Sequence, residues 1–85
     1  MLNKGLGRID PKTRKVILEH VREFSSVLQA QRKKMGLTQE ALAEKLDISV
    51  NTVKYIEQGR RLPSLVMILK IAVALKLRLT LQKIS

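Results

Sequence analysis

The stretch from Thr38 to Gln58, TQEALAEKLDISVNTVKYIEQ, holds the residues whose types and spacing can do chemistry, and that chemistry is recognition of nucleic acid. At helical period, Leu42, Ala43 and Leu46 share one face of a short helix, and Ile48, Val53 and Ile56 share one face of a second. Asp47-Ile48-Ser49 falls between them. Two short helices joined by so tight a turn form a helix-turn-helix, whose second helix can enter a DNA major groove. Ala43 stands where the two helices cross, a place with room for only a small side chain. Thr38 and Ser49 are each placed to cap a helix N-terminus with a side-chain oxygen.

No catalytic constellation competes with this reading. The chain has one histidine, no cysteine and seven scattered acids. A nucleophile–base pair or a metal site cannot be assembled from that set, so no enzyme activity, metal or cofactor is expected. His20 stands alone beside an apolar stripe and reads as a surface or packed residue, because no second ligand is near.

Eighty-five residues make one small domain, and with Phe24 and Tyr55 the only large aromatics its core must be aliphatic. The absence of cysteine suits a reducing cytoplasm. The net charge of +10 suits a polyanionic partner. That charge is uneven. Residues 1–36 carry nine Lys/Arg against three acids, 37–63 carry four against four, and 64–85 carry four against none. The near-neutral reading segment thus has basic flanks, and phosphate contacts from the flanks would supply much of the affinity for DNA. Nothing reads as a signal peptide. The longest apolar run, Leu65 to Leu75, is too short to span a bilayer and is broken by Lys70, so the expectation is a soluble, cytoplasmic protein with no membrane partner.

Residues 1–10 read as a flexible N-terminal arm, in which Lys4 and Arg8 offer basic contacts to DNA. Asp10-Pro11 is a helix start. From there Ile17, Val21, Phe24 and Leu28 form an apolar row that runs toward Gly36, preceded by Arg32, Lys33 and Lys34. The spacing predicts a helix of about 24 residues, with Ser25-Ser26 as the expected place for a bend. Gly59 stops the second short helix, and Pro63-Ser64 opens another. There Leu65, Ile68, Leu69, Ala72 and Leu75 are expected to close the core. The domain therefore spans 11–75.

Over residues 76–85 the period changes. From Lys76 to Ile84 the apolar residues fall on every second position, which indicates a half-buried β-strand. A single strand in a helical chain has no partner of its own. It must fray, lie across the helices, or pair antiparallel with the same strand of a second copy, burying Leu77, Leu79 and Leu81. The last is preferred, as a C-terminal dimerisation strand.

The run from Gly36 to Leu65, GLTQEALAEKLDISVNTVKYIEQGRRLPSL, resembles the lambda-repressor-like, or Xre/Cro-type, regulators of bacteria and phages. The features that match are Gly-Leu-Thr-Gln at the opening, Ala43, the apolar set, and Glu57 followed by Gly59 and a basic loop ending in proline. Asp47 departs from the pattern, since many members carry glycine in the turn. The resemblance implies an all-α bundle of four to five helices. It places Gln39 on a DNA phosphate and Val50, Asn51, Lys54 and Tyr55 at base edges. Thr38, Ser49, Thr52, Arg60 and Arg61 would face the backbone. It also pairs Arg32 with Glu57. Asn51 suits adenine, Lys54 a guanine edge or phosphate, and Val50 a thymine methyl.

The alternating tail is similar to that of the HipB-type antitoxins. That likeness implies a homodimer that represses its own toxin–antitoxin operon at a palindromic operator in double-stranded DNA, with a cognate toxin protein as a further partner. A different class of function is a protein-interaction module that mainly neutralises such a partner, with DNA binding secondary.

Overall fold

The structure is a computed structural model that describes residues 7–84. The described residues form four helices: α1 (Pro11–Lys34), α2 (Gln39–Leu46), α3 (Val50–Glu57) and α4 (Leu65–Ala74). Most of the expected arm, including Lys4, lies outside the described residues. Arg8, which lies within them, is exposed.

Each helix start is capped by an oxygen from the residue before it. Asp10 accepts from the Thr13 amide at 3.1 Å, Thr38 from Ala41 at 2.9 Å, Ser49 from Thr52 at 3.1 Å and Ser64 from Met67 at 3.2 Å. Each such cap contributes about 1 kcal/mol. Hydrogen bonds from Thr13 hold the Asp10 carboxyl below its ordinary value.

The four helix ends share one device as well. Gly36, Asp47, Gly59 and Lys76 all adopt positive φ, between 56° and 71°. In each case the next residue's amide reaches back five positions: Leu37 to Arg32, Ile48 to Ala43, Arg60 to Tyr55 and Leu77 to Ala72, at 2.8–3.1 Å. These are Schellman turns, which satisfy carbonyls the helix would otherwise leave open. Glycine makes two of them at no steric cost, whereas Asp47 and Lys76 hold a left-handed backbone against their own Cβ.

The core joins all four helices. Leu28 of α1 meets Leu42, Ala43 and Leu46 of α2, Val53 and Ile56 of α3, Ile71 of α4, and Leu75 just beyond it. α2 and α3 are in close contact, and Ala43 is buried in the core they share. The helix is not broken at Ser25-Ser26. The Ser25 hydroxyl is buried and donates to the Ile56 carbonyl at 2.8 Å, so it ties α1 to α3 and leaves the α1 ladder intact.

One expectation is corrected. In α4 the buried face carries Ile71, with Leu75 next to it and Met67 and Ala74 partly buried; Leu65 and Leu69 are 63% and 46% exposed. Apart from Lys70 the helix LVMILKIAVA is apolar on every side, so its pattern selects no face. The inward side is set by its neighbours, among them Gln31, whose Nε2 donates to the Leu75 carbonyl at 2.9 Å. The tail, a lone alternating segment, meets no partner strand of its own chain, and no strand occurs among the described residues. Lys76 belongs to the α4 terminator and Leu77 rests partly buried on the core, but Leu81 and Ile84 are 96% and 92% exposed. Among the described residues there is no ladder for that tail to join. No described helix is long and apolar enough to cross a membrane.

Candidate nucleic-acid interface

α3 is an eight-residue helix with two unlike sides. Val53, Ile56 and Glu57 are buried against the rest of the domain. Asn51 and Lys54 are exposed on the other side, and Gln58, one turn past Lys54, continues their row into solvent. Val50 and Tyr55 flank the row half-buried, Val50 resting partly on the core. Gln58 was not among the residues singled out from the sequence. Its spacing of seven from Asn51 is the signal that marks it.

The N-terminus of α3 is built from hydroxyls and a cation. Ser49 Oγ lies 2.9 Å from Thr52 Oγ1, and Arg61 Nη1 donates to the same Thr52 oxygen at 3.3 Å. The loop after α3 thus folds back along its own helix and lays a guanidinium beside the first turn. There the helix dipole already favours an anion. The neighbouring Arg60 places its guanidinium carbon 5.3 Å from the centre of the Tyr55 ring, a cation–π contact that holds both side chains along the flank of α3. Arg60 and Arg61 therefore extend from the same loop to two levels of one helix.

Behind the exposed row lies a buried pair. Arg32 Nε donates to Glu57 Oε2 at 2.6 Å and Arg32 Nη2 to Glu57 Oε1 at 3.1 Å, with the two side chains 8% and 1% exposed. Arg32 Nη1 donates to the Leu37 carbonyl at 2.8 Å. Gln39, the first residue of α2, is half-buried and donates its Nε2 to Glu57 Oε1 at 3.0 Å. The bond between Gln39 and Glu57 was not legible in the sequence, because 18 residues separate the two and neither type demands the other.

Thr38 is spent on its cap, with its oxygen turned to the Ala41 amide. The selected residues therefore fall into three groups. Asn51, Lys54 and Tyr55, with Val50 at their base, lie along α3. Ser49, Thr52, Arg60 and Arg61 surround its start and flank. Thr38 and Gln39 open α2 beside the Arg32–Glu57 pair. A short exposed helix with amide and ammonium groups outward, cations beside it and a rigid support behind it can read base edges while holding phosphates.

Comparison with known proteins agrees with this geometry. The profile of the helix-turn-helix family matches residues 28–82. An uncharacterized HTH-type transcriptional regulator of Methanothermobacter thermautotrophicus is 42% identical over 50 residues, covering 59% of this chain and 72% of that protein. The part of α1 before Leu28 lies outside the family match.

Proposed function

The chain belongs to the helix-turn-helix family, and on that premise we propose that it is a sequence-specific DNA-binding transcriptional repressor. It acts as a two-fold dimer on a palindromic operator. Each copy inserts α3 into the major groove of one half-site, with half-sites roughly 34 Å apart or a multiple of that. The single observation that carries the reading is the exposed row Asn51–Lys54–Gln58 flanked by Arg60 and Arg61, on a helix whose opposite side is buried. The exposed, alternating tail supports pairing between copies, and its likeness to HipB-type tails supports an antitoxin that controls its own operon.

Selection of duplexes by the full-length chain from a random pool tests the reading. Enrichment of an inverted repeat, with binding that weakens steeply as salt rises, is the expected result. Enrichment of nothing would remove the repressor. The alternative, a module that mainly neutralises a toxin, is favoured by one observation: Leu65, Val66, Leu69 and Val73 form an exposed apolar face on α4.

A further inference from the structure

Glu57 serves two neighbours at once. Its Oε2 accepts from Arg32 Nε, and its Oε1 accepts from both Arg32 Nη2 and Gln39 Nε2. An ionised carboxylate only accepts hydrogen bonds, so the end of the Gln39 carboxamide that meets it is the nitrogen. The amide carbonyl is turned away from that carboxylate, and the nitrogen makes no second hydrogen bond among the described residues, which leaves one N–H to donate. A phosphate oxygen also only accepts, and can use Gln39 only through that N–H. An amide free to flip would offer its carbonyl, which a phosphate repels, as readily as its nitrogen.

We propose that Glu57 is a positioning residue for DNA-backbone binding: it holds the Gln39 carboxamide so that its second N–H is presented to a phosphate beside the start of α2. This rests on the DNA-binding reading above and deepens it by naming what prepares the contact. Glu57 itself is too deeply buried to reach DNA, and its charge is matched by Arg32, so it orients the amide without repelling the phosphate. Arg32 acts at one further remove. It grips both carboxylate oxygens and, through the Leu37 carbonyl, the turn that leads into α2.

The test uses a duplex selected by the full-length chain, with each phosphate replaced in turn by an uncharged methylphosphonate. For the unaltered protein, replacement at the Gln39 phosphate weakens binding roughly ten-fold, the size of one charge-assisted hydrogen bond. In Gln39→Ala that position becomes insensitive and the other phosphates keep their effects. In Glu57→Gln the same position, and no other, becomes insensitive, because a carboxamide both donates and accepts and no longer dictates which way Gln39 faces. Adding Gln39→Ala to Glu57→Gln then changes nothing further at that phosphate.

A Glu57→Gln protein weakened equally at every phosphate, or one that keeps the Gln39 contact, overturns the proposal. Because Glu57→Gln can unfold the domain, the Gln39 side-chain amide is also followed by NMR in the unaltered chain without DNA. One of its two protons should be shifted and slow to exchange with water. Two protons that behave like those of a freely rotating glutamine overturn the proposal whatever the variant does. Should the pool yield no preferred duplex, the repressor reading and the phosphate role fall together, even where the amide signature is present.

Discussion

Arg32 and Glu57 form a two-pronged ion pair, 25 residues apart in sequence, that is closed off from solvent between α1 and α3. A pair this buried is not strong evidence of net stabilisation, because removing two charges from water offsets much of their attraction. The asymmetry lies in breaking it. Arg32→Ala or Glu57→Ala leaves one charge buried alone and should cost about 3–5 kcal/mol. The double variant Arg32→Met/Glu57→Leu should recover most of that loss. Thermal melting of the three proteins checks the ordering, and a double variant no more stable than the singles contradicts it.

The left-handed terminators make a second prediction. Asp47 and Lys76 stand at φ 56° and 57°, where a Cβ is crowded. Lys76→Gly should stabilise the domain by about 1 kcal/mol, reduced somewhat by the greater freedom glycine has in the unfolded chain. Asp47→Gly should gain less, because aspartate tolerates this conformation better than lysine does. Gly59→Ala runs the other way. Its new Cβ would meet only Ser25 Oγ at 3.7 Å and Val21 Cγ1 at 3.8 Å, so space is adequate and the loss comes from φ +70° alone. Melting temperatures ranked Lys76→Gly, Asp47→Gly, wild type, Gly59→Ala are the expected outcome.

What could be read from the sequence follows from how local each signal is. Caps and terminators are decided within four or five residues, which is why Thr38, Ser49, Gly36 and Gly59 mark the helix limits. The face of α4 is not local. Its apolar residues surround the helix, and only the position of α1 and α2 decides that Ile71 goes inside and Leu65 outside. The role of Ser25 is hidden for the same reason: its hydroxyl answers to the Ile56 carbonyl, 31 residues away, and not to its own turn. The Gln39–Glu57 bond was hidden likewise. The row on α3 was legible except for Gln58, which stands just past the last helical residue.

Base reading and backbone holding predict different losses. Asn51 is exposed on α3 and free to turn to a base, whereas Arg61 is held beside the first turn through Thr52. Asn51→Ala should lose about 1–3 kcal/mol on the selected duplex and relax preference at one base pair. Arg61→Ala should weaken specific and random duplexes alike and lower the salt slope by about one. Titrations of both variants on both duplexes at several salt concentrations check this. Equal losses on specific and random DNA for Asn51→Ala would remove it from the base-reading set.

The tail decides how two copies meet. Leu77 rests on the core and its amide bonds to Ala72, so a cut that spares the α4 terminator should follow Arg78. Beyond lie Leu79, Leu81 and Ile84, exposed and without a ladder. If they pair with the same residues of a second copy, the backbone groups of both strands are satisfied and the leucines leave water together. The full chain should then have the light-scattering mass of a dimer, and the chain ending at Arg78 that of a monomer with little change in melting temperature. Binding to an inverted repeat should fall much more than binding to a single half-site, because only the dimer couples two half-sites. A shortened chain that stays dimeric would move the contact to the other exposed apolar surface, Leu65, Val66, Leu69 and Val73 of α4. Polar substitutions there, Leu69→Lys first, would then be the ones that separate the copies.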